Sequence, residues 1–223
     1  MDEAAGLARG LTEPEAPARD RPDRTSDTRE RIVALALKVF AERGFDGAKT
    51  REIAHRADVN LGLIKYYFDT KEGLWKAAVD RAFEELRQGL QDVLGDSGQI
   101  VGRDGLEQAI RGYVRFVADH PEFGRLMQDE SKRDGTRMRW LVEQHVRPLY
   151  DEIRNGIEPL QERGLLPPMP AASFHYFLVG AAGAPFIQRP EFQRLTGLDP
   201  TSKDFVEAHA DALVRLLLGP ESA

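Results

Sequence analysis

The chain has 223 residues, 41% of them hydrophobic and 30% charged, so it can bury a real core as one large or two small globular domains. It contains no cysteine, which excludes disulfides, thiolate chemistry and cysteine-ligated metals. No apolar run approaches the ~18 residues that span a bilayer. The first twenty residues lack the pattern of a secretory signal, and we therefore expect a cytoplasmic protein.

The net charge of −6 argues against nucleic-acid binding, but the charges are unevenly distributed. Residues 28–76 carry ten Lys and Arg against seven Asp and Glu, whereas residues 1–27 carry four against seven and residues 77–223 carry seventeen against twenty-three. Neutralising DNA phosphates requires such a local positive surplus. A surplus of three charges also fits an ordinary solvated helical surface.

The N-terminal residues 1–24 are rich in Ala, Glu, Pro, Arg and Asp without apolar periodicity, which predicts a disordered tail. The arginines Arg19, Arg21 and Arg24 either follow DNA or are simply solvated. A first helix is predicted over about 25–43, with Gly44 as its stop. Its apolar residues at helical spacing are Ile32, Leu35, Ala36, Val39 and Phe40.

Residues 49–71 form two short helical segments separated at Asp58-Val59-Asn60. Asn60 suits the N-cap of the second segment, because its side-chain oxygen can accept from a first-turn N–H. The second segment presents polar and aromatic side chains. Two short helices with a tight turn between them indicate a helix-turn-helix that reads DNA.

The rest of the chain shows helical periodicity in several segments and no strand-like alternation. Pro148 and Pro159 should kink or split the longest of these segments. Residues 188–200 are predicted to be a loop. The expected fold is all-α, with a tail (1–24), a DNA-binding domain of three helices (25–72) and a helical ligand-binding and dimerisation domain (73–223). Helices are predicted over about 70–90, 103–119, 121–127, 136–163, 171–187 and 201–218.

Residues 28–74 resemble the DNA-binding domain of TetR-family (tetracycline-repressor-like) transcriptional regulators. The shared positions, at fixed spacing, are Ile32, Ala36, Phe40, Gly44-Phe45, Ile53-Ala54, Ala57, Val59, Gly62, Tyr67-Phe68, Lys71-Glu72 and Leu74. The resemblance implies that residues 60–67 are the recognition helix, lying in the major groove. It also implies a regulator, not an enzyme, without a cofactor.

Carried onto this sequence, the resemblance implies a set of DNA contacts. Arg51 has the fork that suits guanine. Leu61 and Leu63 either meet thymine methyls or merely pack, and Tyr66, Tyr67 and Lys71 contact phosphate unless they pack or are solvated. The full set is Lys49, Thr50, Arg51, Asn60, Leu61, Gly62, Leu63, Lys65, Tyr66, Tyr67 and Lys71.

Four departures from the family pattern limit what can be transferred. Lys49 stands where the family usually has a Ser or Thr cap, so that cap should be lost. Asp58 replaces the usual turn glycine, and we expect the turn to survive because Asp tolerates the left-handed region better than most residues. Lys65 replaces a usual Tyr, and Leu61 and Leu63 replace residues that are often polar. The operator sequence is therefore not inherited from any relative.

In the C-terminal half, the resemblance implies an apolar cavity and a dimer interface made by the last two helices. Segment 171–187 is apolar on nearly every side, with small residues such as Gly180 that admit a partner helix; burial within a monomer is the alternative. No histidines have the i, i+4 spacing of a metal pair, so we expect no metal. The residues that either line the cavity or pack as core are Phe116, Phe123, Met127, Trp140, His145, Tyr150, Phe174 and Phe177.

The leading hypothesis is a homodimeric repressor that a small-molecule effector releases from a pseudo-palindromic DNA operator. An activator or an effector-independent regulator of the same fold is an alternative. An all-α enzyme or small-molecule carrier is another, but the sequence shows no nucleophile–base arrangement, phosphate loop or acid pair that would favour it.

Overall fold

The computed structural model describes residues 24–95 and 100–220, so the tail predicted for 1–24 lies almost entirely outside the described residues. Throughout these two ranges every regular element is helical, which confirms the all-α prediction. The helices are α1 (Arg24–Gly47), α2 (Thr50–Arg56), α3 (Leu61–Phe68), α4 (Lys71–Leu94), α5 (Gly102–Asp119), α6 (Pro121–Glu130), α7 (Thr136–Leu141), a π-helical segment (Val142–Val146), α8 (Arg147–Glu162), α9 (Ala171–Ile187), α10 (Arg189–Thr196) and α11 (Lys203–Leu218).

The first three helices form a small unit around the apolar face of α1. Ile32 and Phe40 of α1, Ile53 of α2 and Ile64 of α3 are almost fully buried. The first helix extends beyond its predicted end, but its backbone breaks at Gly44, where φ is +66°. A side chain at Gly44 would be strained and would also meet the carboxylate of Asp129 in α6. The glycine thus lets α6 pack closely on the end of α1.

A single helix, α4, connects this unit to the rest of the chain. Thr70 caps it by accepting from the Gly73 N–H at 2.9 Å. A Cβ at Gly73 would lie 2.2 Å from the Phe68 carbonyl oxygen, so glycine is required where α4 starts against the end of α3. Because α4 continues without a break to Leu94 and packs on both α1 and α5, the domain boundary expected at residue 72 falls inside its first turn.

The C-terminal helices pack around α5, which contacts α4, α6, α8, α9 and α11. The predicted split near Pro148 takes the form of the π-helical segment, which separates α7 from α8, whereas Pro159 lies inside α8. The loop predicted for 188–200 is wrong in part, since Arg189–Thr196 is helical. Pro190 occupies the first turn, where a missing N–H costs nothing, and Gly197 ends the helix with φ +72°.

No helix in the described ranges has the length and apolarity needed to cross a membrane.

Candidate functional site

The turn between α2 and α3 has the geometry expected from its sequence. Asn60 accepts from the Gly62 N–H at 2.7 Å, as predicted for an N-cap. Asp58 adopts the left-handed region with φ +51°, so the turn survives without glycine. Lys49 makes no side-chain cap to α2, which confirms the expected loss of that cap.

The outer surface of α2 and α3 carries cations without carboxylate partners. Lys49, Arg51 and Lys65 are exposed, and none forms an ion pair with any described residue. Arg56, in contrast, is held by Glu42 at 2.8 Å and by Glu52 at 2.6 Å. The free cations are thus the side chains that the sequence assigned to DNA, and their charge is available to an external anion.

The remaining predicted DNA contacts differ in exposure. Tyr66 is 78% exposed and Leu61 is 38% exposed, whereas Leu63 and Tyr67 are half-buried. Ile64 and Phe68 fill the inward face of α3, as expected, so Leu61 and Leu63 are not needed for that core. Thr50 is half-buried at the start of α2, and Asn60 and Gly62 are exposed at the start of α3.

Lys71 has partners within the protein. Its Nζ donates to the Asp46 carbonyl at 3.3 Å and lies 4.8 Å from the centre of the Phe45 ring. A phosphate bound there would have to share the amine with these groups.

The Phe45 ring is the centre of a cluster that joins the N-terminal unit to the C-terminal helices. Arg137 belongs to α7, and its guanidinium lies 3.7 Å from the centre of the Phe45 ring. Arg137 also forms an ion pair at 3.2 Å with Glu130, whose side chain is nearly fully buried. Trp75 of α4 meets Phe45 edge-on and packs against Trp140 of α7 at a centroid distance of 5.7 Å. We call Phe45, Trp75, Glu130, Arg137 and Trp140 the Phe45 junction.

A cavity of about 710 Å³ lies among α4, α5, α6, α7, the π-helical segment, α8 and α9. Most of its lining is apolar. Four of the predicted ligand contacts line it: Phe123, Met127, His145 and Phe174. The other four do not: Phe116, Trp140, Tyr150 and Phe177. Trp140 belongs to the Phe45 junction, Phe116 packs on Phe123, Tyr150 packs on His175, and Phe177 is 54% exposed.

His145 sits on the π-helical segment and is bound at both ring nitrogens by α4. Arg87 can only donate, so Nδ1 accepts from its guanidinium at 3.2 Å and the Nε2–H donates to Asp80 at 2.9 Å. Burial lowers the pKa of His145, although Asp80 opposes this effect. The ring is therefore held neutral, with both nitrogens occupied.

Three other polar groups of the cavity wall have no partner among the described residues. The Nδ1 atom of His175 is buried without a hydrogen bond, and burial lowers the pKa of that ring. Burial also raises the pKa of the Tyr113 hydroxyl and of the Glu152 carboxyl, with no partner to offset it. Such groups gain most from a ligand that hydrogen-bonds to them.

Sequence reasoning missed the Phe45 junction and most of the polar cavity wall. The sequence does not indicate the pairing of Glu130 with Arg137, because buried and exposed ion pairs have the same residue types and spacing. Asp80 and Arg87 carried a usable signal, since they lie two turns apart on one face of α4 and so can hold one side chain between them. Among the described residues, no three His, Asp or Glu side chains converge on a metal site.

Comparisons with known proteins agree with this architecture. Residues 32–78 match the model of the "Bacterial regulatory proteins, tetR family", and residues 103–217 match that of the "Tetracyclin repressor-like, C-terminal domain". The repressor NicS of Pseudomonas putida is 30% identical over 148 residues, which cover 65% of this chain and 66% of that protein.

Solved structures share the fold at low sequence identity. The transcriptional regulator SCO4942 of Streptomyces coelicolor superposes with a TM-score of 0.66 at 21% identity, covering 86% of this chain and 99% of that one. AibR, solved with isovaleryl coenzyme A and operator DNA, superposes with a TM-score of 0.65 at 15% identity, covering 86% of this chain and 99% of that one. The chain spans less than two thirds of the length of the curated relatives that it matches, which are transcriptional regulators, and the two family models show that it belongs to the TetR family of bacterial regulatory proteins.

Proposed function

We propose that the protein is a homodimeric repressor of a pseudo-palindromic operator and that a small molecule in the cavity releases it. One observation carries the proposal: the same short stretch, α6 to α7, lines the cavity with Met127 and Met138 and contacts Phe45 of the N-terminal unit through Arg137, which is ion-paired to Glu130.

The unpaired cations support the DNA-binding surface. Lys49, Arg51 and Lys65 project from α2 and α3, and the carboxylates nearby, Glu42 and Glu52, are committed to other arginines. We propose that Arg51 and Lys65 approach base edges or phosphates and that Lys49 and Tyr66 contact phosphate. Thr50, Asn60, Leu61, Gly62, Leu63, Tyr67 and Lys71 complete the proposed contact surface.

An exposed apolar face supports the dimer. On α9, Tyr176 and Phe177 are 72% and 54% exposed, and the space around Gly180 is open. On α11, Ala208, Ala212 and Leu216 recur every four residues on the exposed side, and Leu216 is 66% exposed. Two such faces related by a two-fold axis would bury each other, and the two recognition helices would then address half-sites about one helical turn apart.

The Phe45 junction supports a route for release. A ligand that displaces α6 or α7 from the cavity side would move Arg137 and Glu130 on the other side, and with them the corner between α1 and α2. A second link runs in parallel, because Arg133 just after α6 forms an ion pair with Asp46. Release requires the ligand to bind the displaced state more tightly than the DNA-competent one.

Selection of bound fragments from a random-sequence duplex pool tests the proposal. The purified chain should enrich a palindrome with half-sites about one helical turn apart at moderate salt. Enrichment of single half-sites would contradict the dimer, and enrichment of no sequence would contradict the regulator. Light scattering of the Phe177→Asp variant, with Ala172→Asp on the exposed first turn of α9 as a matched control, should show loss of the dimer in the first variant alone.

Transcription in vitro from a promoter that contains the selected site decides the sign of regulation. Repression supports the proposal, while stimulation favours an activator of the same fold. We expect the regulator to act in the cytoplasm, where the DNA is.

A further inference from the structure

We propose that the cavity binds an amphiphilic cation, an apolar molecule that carries a protonated amine, with the amine paired to Glu152. The inference rests on the proposed function, since it names the chemical class of the effector.

The charges of the cavity wall are unevenly matched. Among the described lining residues, Arg87 and Glu152 carry the full charges. Arg87 is already paired with Glu84 at 2.6 Å and donates to His145. Glu152 has neither an ion pair nor a hydrogen bond within the described residues. The wall therefore presents one negative charge that the protein does not neutralise.

That unmatched charge favours a cation over an anion. Glu152 is exposed, but desolvation by the cavity wall still raises the pKa of its carboxyl, so ionisation costs some free energy that no described protein group returns. A protonated amine beside Glu152 would offset this cost. A carboxylate ligand would meet the same charge with opposite effect, and the guanidinium of Arg87 is already in use.

The histidines of the wall reinforce this preference. His145 uses one nitrogen to accept from Arg87 and the other to donate to Asp80, so it has no free N–H for an anion. His175 is kept neutral by burial, and its unpartnered Nδ1 can accept from an ammonium N–H. Tyr113 also lines the cavity, and its hydroxyl can act as a further acceptor.

The rest of the lining fits an apolar body. Leu90, Ile110, Val117, Phe123 and Phe174 contribute aliphatic or aromatic surface, and the volume of about 710 Å³ lies within the range of pockets that enclose small organic ligands. The apolar part supplies affinity through surface removed from water, while Glu152 selects the head group.

Calorimetric titration of the purified full chain with three matched probes tests the inference. 1-Decylamine, 1-decanol and decanoate share one alkyl chain and at pH 7.5 carry a positive, a zero and a negative charge. We expect decylamine to bind about threefold to fivefold tighter than decanol, because Glu152 is exposed on the cavity wall and solvent screens a pair with it. Decanoate should bind most weakly. Equal binding of the three probes, or tightest binding of decanoate, would overturn the inference.

The Glu152→Gln variant should bring decylamine to the affinity of decanol and leave decanol unchanged. Glu158→Gln, an exposed carboxylate on the same helix that does not line the cavity, should behave as wild type. Lowering the pH should weaken decylamine binding more in the wild type than in Glu152→Gln, because Glu152 takes up a proton only in the wild type while His175 titrates in both. An unchanged amine preference in Glu152→Gln would contradict the role of Glu152.

Failure of this inference is distinguishable from failure of the proposed function. If none of the three probes binds but the chain still enriches a palindrome, the ligand class is wrong and the DNA-binding dimer stands. If no palindrome is enriched, the proposed function fails whatever the probes do.

Discussion

Arginines have opposite roles on the outer surface of α2 and α3 and at the contact between α5 and α11. On α2, Arg51 is exposed and has no carboxylate partner among the described residues. On α5, Arg111 pairs with Asp211 and Glu107, and Arg115 pairs with Glu207 at 2.7 Å. The pairs between α5 and α11 hold two helices together, while the free cations keep their charge for a partner. Pairing, more than net charge, therefore separates the basic residues whose charge is free for an external anion from those that join two helices.

The largest expected effect comes from a third arginine, which is paired like Arg111 but mostly buried. Arg137 is mostly buried and neutralises the nearly fully buried Glu130. Arg137→Gln should lower the free energy of unfolding by about 3 kcal/mol, because it leaves a buried carboxylate unpaired. Urea unfolding of the variant measures this. The double variant Arg137→Gln with Glu130→Gln should recover much of the loss, and a double variant as unstable as the single one would contradict the pairing.

Removing a free cation should weaken DNA binding without affecting folding. Arg51→Ala should lower operator affinity by about 1–3 kcal/mol if it reads a base, or reduce the slope of log affinity against log salt by about 1 if it contacts phosphate. Gel shift over a salt series measures both quantities. Arg115→Ala is the matched control, and equal losses in the two variants would remove the distinction between the two regions.

Removing a paired cation should instead lower stability and leave DNA binding unchanged. Arg111→Ala should leave operator affinity unchanged and lower the free energy of unfolding by less than about 1 kcal/mol, since solvent screens this pair. Parallel urea titrations of Arg111→Ala and Arg51→Ala provide the comparison. A stability loss in Arg51→Ala with none in Arg111→Ala would reverse our assignment.

The smallest expected effect concerns pH. The pKa of His145 is lowered from 6.5 in the folded chain, so between that lowered value and 6.5 the unfolded chain binds the extra proton. The stability that this site contributes is present above pH 6.5 and declines as the pH falls below it. Urea midpoints from pH 7.5 to 5.5 should decrease more in wild type than in His145→Gln. Equal pH slopes in the two proteins would show that another group titrates.

Local features of the N-terminal unit were predictable because they depend on neighbouring residues. The Asn60 cap, the Asp58 turn and the missing Lys49 cap each involve a few consecutive positions, and the structure confirms them. The helix within 188–200 is hard to predict because Pro190 and Gly197 are typical of loops and equally typical of helix ends.

The cavity was only partly predictable because its lining comes from helices far apart in the sequence. Aromatic identity alone does not separate Phe174, which lines the cavity, from Phe177, which is exposed three residues later. The difference depends on how α9 is rotated against α8 and α5, and an evenly apolar helix has no polar face to fix that rotation in advance.

The chain has two tryptophans, Trp75 and Trp140, and both belong to the Phe45 junction. Their indole rings lie on opposite sides of the contact between the connecting helix and the cavity wall, with Arg137 and Lys76 close to them. The tryptophan fluorescence of the unlabelled protein therefore arises from this one contact. Any ligand or DNA duplex that separates the two units should change the wavelength and intensity of the emission, so the protein contains its own optical reporter of the motion on which its regulation is proposed to depend.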